Sequence, residues 1–446
     1  MQPTSLKILL RLIDVFTDSD ATVCGACIDS RLVKPGDLFF ALKGARHDGH
    51  HYLKDAAARG ASAAVVSQSY QDSNFGMVLI RVEDVVATLQ QLAKKYLEQQ
   101  KIRVIAITGS LGKTTTKEFA KTLIGSSYRV FATPLSYNSQ VTVPMSILSI
   151  RGDEEIMILE MGMSAPGHLA KLINIAPPDT ALITTVASQH ALGFEDGLAG
   201  IAQEKSSIFT HLKTKIGLYH HDMPYASHAQ IGSCEKITFS CTDPAADFFL
   251  HREGSCVTIR EKDKTQYSFN LQLPVQAHDH NFLAALSLAR LLGIPWPVLK
   301  EMTAFLKLPP MRFEKIEKQG ITFINDAYNA IPQSIRAALQ SLPNPQGGRT
   351  VAVLSEMDAL GEYSEKGHQE VGQCALEHAD ALFCVGNRCK AMEEIWQTSS
   401  KLCRRFDTVK DLGDQLVKFV QKGDVVLLKG ARAFALDKLL NLWDEA

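Results

Sequence analysis

No charge bias, membrane-length apolar run or paired cysteine framework marks this sequence. Its 446 residues carry 47 Lys and Arg against 48 Asp and Glu, a formal net charge of -1. No basic field or polybasic run is present to attract nucleic acid or an anionic membrane. No apolar stretch approaches the roughly 20 residues that a spanning helix needs. The opening MQPTSLKILLRLIDVF lacks both a charged start before a long apolar run and a small-residue cleavage site. The nine cysteines are scattered. The one close pair, Cys24 and Cys27, has no second pair and no histidine beside it, so small core residues explain it better than redox or zinc chemistry. An odd number of unspaced thiols suits a reducing cytosol. The expectation is a soluble cytoplasmic protein.

What is present is the balance of a globular chain, 46% hydrophobic and 21% charged, with about three domains suggested at roughly 150 residues each. Residues 1–83 contain the short apolar runs GDLFFAL and SAAVVS around a helical pattern that stops at Gly60, a small α/β unit. Residues 84–310 open with a Leu-, Ala- and Lys-rich helix. The buried-strand candidates KIRVIAIT, EIMILE and TALITTV follow. Strands alternating with helices predict a parallel sheet. SCVTIR and YSFNLQL alternate apolar with polar residues around EKDKTQ, an antiparallel side hairpin. LKLPPMRFEK, with its two prolines, reads as a linker. Residues 311–446 then resume the alternation with ITFIN, TVAVLS, ALFCVG and DVVLLK. No GxGxxG follows any of these strands, and no internal repeat or low-complexity segment occurs.

The chemistry starts at ITGSLGKTTTKEF, Ile107 to Phe119. A phosphate loop aims consecutive backbone N–H groups at anionic oxygens from a helix start, with a lysine and a magnesium-binding hydroxyl. Its usual first glycine is replaced here by Ile107, and the glycine comes late, at Gly109. Gly109 can take backbone angles that Ile107 cannot. The loop of Gly109, Ser110, Leu111, Gly112, Lys113, Thr114 and Thr115 therefore reads as intact but shorter, for ATP. Glu160, ending a strand, is either a solvated strand end or a carboxylate within reach of a magnesium ion on that loop.

TGSLGKTTTKE resembles the TG(T/S)xGKT loop of the Mur ligase family. Ser110 and the Lys117–Glu118 pair are most similar to its D-alanyl-D-alanine-adding branch. The resemblance extends over almost the whole chain and implies three α/β domains: a UDP-sugar-binding unit, a P-loop ATPase-type sheet and a C-terminal Rossmann-like domain. It implies Glu160 of ILEMGMSAPGHL as a magnesium ligand with Thr114. His190 of TTVASQHALGFEDG and Lys205, carried as a carbamate, would serve a second magnesium. A carbamate forms on a neutral amine, so Lys205 needs a lowered pKa. Asn138 matches the T…NN-x-G-VP stretch, whose second asparagine is Ser139 here and whose next positions are Gln140 and Val141. Asn281 matches the adenine-proximal asparagine of HNxxNxxAA, with Ala284 in the place of the second. Arg312 matches a linker arginine for the nucleotide phosphates. FINDAYNAIPQS resembles DD(S/A)YNANPxS, giving Asp326 and Asn329, with Asn325 and Ile331 as departures.

At the far end, LLKGARAF resembles KGSR, so Lys429 and Arg432 are expected at the growing peptide or incoming dipeptide, with Ala431 for the serine. At the near end, CIDSRLVKPGDLFFALKGARHDGHH resembles the UDP-sugar segment. Ser30 and Arg31 would meet the uridine diphosphate, and Asp48, Gly49 and His50 would shape the site. The implied activity is an ATP-dependent amide ligation of D-alanyl-D-alanine to UDP-MurNAc-tripeptide by a monomer, through an acyl phosphate, in peptidoglycan precursor synthesis. A hinge is expected near Pro309 to Arg312. Ligases of the folylpolyglutamate or third-residue-adding type are the nearest rivals. The DSR…GDLF…DGH segment argues against the first, and the absence of DNPR against the second. A non-ligating P-loop regulatory ATPase would leave His190, Lys205 and KGAR unexplained.

Overall fold

The computed structural model describes residues 1–44, 47–189, 191–273 and 278–444. Near the N-terminus, the strands Gly25–Cys27, Asp37–Phe40, Ala63–Ser67 and Val78–Val82 form a parallel sheet in chain order. Asp37–Phe40 is buried on both faces, as a strand covered on each side must be. One face packs Phe39, Leu53 and Val66 into a small core that includes Cys27. Leu38, Phe40, Ala63 and Val65 of the other face join a larger core that continues into Val104, Ala106 and Leu159. Helix Val85–Glu98 bridges the two units. Its Asp84 cap accepts from the Ala87 N–H at 2.9 Å, satisfying an orphan donor of the first turn.

Among the described residues, the central sheet has nine strands. Val130–Ala132, Ile156–Glu160, Arg103–Thr108, Thr180–Ile183, Ile216–His220, Glu235–Ser240 and Phe248–Glu253 run parallel in that spatial order. Cys256–Glu261 and Gln266–Asn270 add the expected hairpin antiparallel, Cys256 facing Asn270. Ile107 lies inside strand Arg103–Thr108 with no exposed surface. The missing first glycine is thus a core strand position, and the turn begins only after Thr108.

The third sheet places Glu314–Lys318 antiparallel beside Ile321–Asn325. Val425–Lys429, Thr350–Ser355, Ala381–Val385 and Leu402–Phe406 then follow in parallel. The four expected strands are present. The two edge strands, EKIEK and LCRRF, were not anticipated, because adjacent charged residues break the apolar run along these partly exposed edges. Between the second and third sheets, residues 306–313 belong to no helix or strand. Met311 (φ 58°) and Phe313 (φ 53°) on either side of Arg312 both adopt the left-handed region, a strained conformation for side chains of that size. All nine cysteines are free thiols, and no helix among the described residues is long and apolar enough to cross a membrane.

Candidate functional site

The carboxyl ends of the central parallel strands open into a cleft of about 490 Å³, closed on its far side by the third sheet. The phosphate loop forms its floor. Gly109 (φ 148°) and Gly112 (φ 80°) have conformations that favour glycine. Packing forbids a side chain as well. A Cβ on Gly109 would lie 1.8 Å from Thr184 Oγ1, and one on Gly112 would lie 2.0 Å from Asn281 Oδ1. Ser110 Oγ donates to the Ala187 carbonyl at 3.0 Å and accepts from the Ala187 N–H at 2.8 Å, stitching the loop to the next strand's exit. Lys113 folds its ammonium back onto the Gly109 carbonyl at 2.7 Å. Desolvation lowers its pKa against the pull of Glu160.

Thr114 is the second residue of helix Lys113–Ile124, and its hydroxyl donates to Glu160 Oε2 at 2.8 Å while meeting Ser136 Oγ at 2.9 Å. Asn138 Nδ2 donates to Glu160 Oε1 at 2.8 Å, and the Glu160 N–H donates to Thr133 Oγ1 at 3.1 Å. Glu160 is therefore no solvated strand end: it is 1% exposed and held by three neighbours. Lys205, on helix Gly197–Ser206, lines the same cleft at 3% exposure. Desolvation first, and then the Lys113 charge, hold its pKa well below the usual lysine range. His190 lies outside the described residues.

Arg312 and Asn329 close the cleft from the third sheet, and the Arg312 guanidinium stacks over Tyr328 with 4.4 Å to the ring centre. Behind this wall, Asp326 Oδ2 accepts from Lys429 Nζ at 2.6 Å, and Oδ1 accepts from the Phe313 N–H at 3.2 Å. Lys429 also donates to the Asn329 carbonyl at 3.2 Å. Burial lowers its pKa, and Asp326 opposes the shift. Arg432, half-exposed, is bonded to Asp437 at 2.6 Å. Asn281 stands against Gly112 and accepts from Thr116 Oγ1 at 3.3 Å.

The departures have physical places. The Ser139 hydroxyl accepts from the Val141 and Thr142 N–H groups at a helix start. Ala284 and Ile331 are core residues. Asn325 donates to Glu314 at 3.2 Å. Beside Ala431, Ser355 supplies a hydroxyl from another strand and accepts the Ala431 N–H at 2.8 Å. Sequence reading used Lys117 only as a mark of the branch and gave it no role in the site. Its side chain is wholly buried, and its ammonium donates to the Thr133 carbonyl at 2.6 Å and to the Leu135 carbonyl, with Glu118 at 3.1 Å. It pins the loop that carries Ser136 and Asn138, and Leu135 in that loop is left-handed at φ 49°. The only available signal was a lysine at helical spacing from Ala120 and Ile124 on the buried face of its helix.

A second cavity, about 1,030 Å³, lies on the N-terminal sheet and includes Lys43, Asp48, His50, Ser67 and Tyr70. His50 Nδ1 is 2.6 Å from Asp48 Oδ1, its Nε2 accepts from the Ser67 N–H at 3.0 Å, and its ring stacks on Tyr70. Gly49 lets the backbone approach Leu42, whose N–H a Cβ would meet at 2.7 Å. Ser30 is buried, and Arg31, 83% exposed, is paired with Asp29. Neither lines this cavity.

Comparison with known proteins bears on what the two cavities hold. Residues 22–106 match the Mur ligase family catalytic domain, 107–289 the Mur ligase middle domain, and 311–432 the Mur ligase glutamate ligase domain. The UDP-N-acetylmuramoyl-tripeptide--D-alanyl-D-alanine ligase of Bacillus subtilis is 33% identical over 94% of this chain and 92% of its own length. Its Escherichia coli namesake is 29% identical over 96% and 95%. A crystal structure of MurF from Acinetobacter baumannii superposes with a TM-score of 0.84 at 25% identity, covering 99% of this chain and 98% of its own. MurF of Thermotoga maritima in complex with ADP gives 0.76 at 30% identity over 94% and 96%.

Proposed function

Since this chain belongs to the Mur ligase family, we propose that it joins D-alanyl-D-alanine to UDP-MurNAc-tripeptide in the cytoplasm, using ATP and releasing ADP and phosphate. The observation that carries this reading is the cleft, where Thr114, Glu160 and Asn138 are locked together beneath Arg312 and Tyr328. The end-to-end likeness to ligases of that name supports the choice of substrates. The domain limits 1–83, 84–310 and 311–446, and a monomeric state, belong to the same proposal.

Lys113 would leave the Gly109 carbonyl for the ATP phosphates, which the loop N–H groups receive at the helix start. Thr114 Oγ1 and Glu160 Oε2, 2.8 Å apart, fit adjacent corners of a magnesium octahedron, about 2.9 Å apart for bonds near 2.0–2.1 Å. Lys205 is buried beside them with its amine pushed towards the neutral form, which suits a carbamate serving a second ion together with His190. Bound magnesium would neutralise charge on the transferring phosphoryl group and the substrate carboxylate.

Phosphorylation of that carboxylate turns a poor electrophile into an acyl phosphate. The dipeptide amine attacks it, and the tetrahedral intermediate collapses to amide and phosphate. Arg312 would steady the phosphates, Asn281 the adenine side, and Asp326 with Asn329 the nucleotide from above. Lys429 is buried against Asp326, whereas Arg432 is half-exposed beside Asp437, so Arg432 is the better placed of the two for a peptide carboxylate. Asp48, Gly49 and His50 would shape the UDP-sugar site, and Ser30 and Arg31, which lie outside that cavity, would meet the diphosphate only beyond its present rim. Closure about residues 309–312 would keep water from the acyl phosphate.

The test follows phosphate release with ATP, magnesium and UDP-MurNAc-tripeptide, with and without D-alanyl-D-alanine, and weighs the product. Release that requires the dipeptide, with a pentapeptide mass, is expected. ATP hydrolysis indifferent to both substrates would overturn the proposal in favour of a regulatory ATPase.

A further inference from the structure

We propose that His221, Asp222 and Asp243 form a divalent transition-metal site, of the class that takes zinc, distinct from the nucleotide cleft. His221 and Asp222 follow strand Ile216–His220, and Asp243 follows the adjacent strand Glu235–Ser240. Parallel pairing thus brings the three side chains to one end of the sheet. Their ligand atoms all lie within 4.8 Å of one another. His221 Nδ1 is 3.1 Å from Asp243 Oδ2 and 3.5 Å from Asp222 Oδ1. Ligands of a tetrahedral zinc with bonds near 2.0–2.1 Å stand about 3.4 Å apart, so these edges are already close to those of a coordination polyhedron.

The oxygens that do not converge are held elsewhere. Asp222 Oδ2 accepts from Ser240 Oγ and from Thr242 Oγ1 at 2.6 Å, and Asp243 Oδ1 accepts from the Ala245 N–H at 2.8 Å. The His221 N–H donates to the Phe239 carbonyl at 2.9 Å. Each carboxylate therefore has one oxygen tied down and the other aimed at His221, as outer-sphere partners orient metal ligands. His221 Nδ1 is shielded from solvent yet makes no hydrogen bond to either carboxylate. Two neighbours share that condition. His220, whose Nε2 is 3.6 Å from Asp222 Oδ2, has both ring nitrogens buried without partners, as does His280 Nδ1. The two rings meet edge to face at 4.6 Å. Of nine such orphaned side-chain atoms among the described residues, these four gather here. Buried unpaired polar atoms in such a concentration call for an ion or water.

One imidazole and two carboxylates suit zinc or its near neighbours better than magnesium or calcium, which prefer oxygen shells. The turn Ala226–Gln230 lies between the two strands and packs on helix Gly197–Ser206, which carries Lys205. A metal at the strand ends would stiffen the support of that helix.

The full chain, stripped with a chelator, would be titrated with zinc chloride and separately with cobalt(II), alone and with saturating magnesium ATP. The proposal expects one zinc per chain, cobalt absorption bands of a tetrahedral site, and binding unaffected by magnesium ATP. It also expects affinity to fall roughly 100-fold or more in both His221→Gln and Asp243→Asn, with the circular dichroism of the metal-free variants unchanged. Absence of zinc binding, binding that survives both substitutions, or binding that magnesium ATP displaces would overturn it. The last result would place the ion in the cleft.

Discussion

Replacing Lys117 with methionine keeps the length of the side chain and removes the charge. The ammonium is wholly buried and serves two carbonyls, Thr133 and Leu135, with Glu118 beside it. Each carbonyl left without its donor costs about 1–3 kcal/mol. The Glu118 contact adds little, because that carboxylate is 30% exposed and screened. Relief of the buried charge gives part of this back, leaving about 3 kcal/mol against the loop's present shape. That loop carries Ser136 against Thr114 and Asn138 against Glu160. A working conformation disfavoured by that amount lowers turnover about 100-fold. Dipeptide-dependent phosphate release, measured across magnesium concentrations, should show that loss. It should also show a magnesium requirement raised by up to about 100-fold and an unchanged KM for the dipeptide. A folded Lys117→Met protein with the parent's rate and magnesium dependence would refute this role for the loop.

Gly109→Ala should abolish ATP turnover, because its Cβ would lie 1.8 Å from Thr184 Oγ1 on a φ of 148°. Adding Thr184→Ala should not restore it, since the backbone angle remains; recovery in the double variant would show that sterics alone mattered. For Lys205, whose folded pKa is lowered, the unfolded chain binds the extra proton between that value and 10.5. Stability from this group therefore rises with pH through that window, and the neutral amine needed for a carbamate is lost as pH falls. Activity lost on mild acidification should return with added bicarbonate, and native mass spectrometry should show a CO2 adduct that Lys205→Ala lacks. Lys429→Met strands Asp326 and should cost about 3–5 kcal/mol in thermal or urea unfolding, with Asp326→Asn in the same chain recovering part of it. Additive losses would deny the coupling.

The legible part of the fold was what local pattern encodes. VIAI, IMIL and VVLL are apolar runs that only buried strands explain, and Gly60, Gly109 and Gly112 mark their turns. EKIEK and LCRRF escaped because an edge strand with charges on consecutive residues looks like surface chain. In the cleft, residue types announced the phosphate loop, but no local pattern pairs Asp326 with Lys429 or Thr114 with Glu160, since those contacts are made only when strands assemble. The pairing changed the reading of Lys429 from a substrate contact to a partner of Asp326. Left-handed Leu135, Met311 and Phe313 were equally hidden, because tertiary packing, not glycine, holds those angles.

The continuity of the first two sheets through one core, from Phe40 and Val65 to Val104 and Leu159, has a thermodynamic meaning. Residues whose side chains interlock in one core melt as one cooperative block, whereas the third sheet is built on separate clusters around Ile335 and Leu428. Heating should therefore give two calorimetric transitions rather than three. A nucleotide lodged between the blocks would draw the two melting points together.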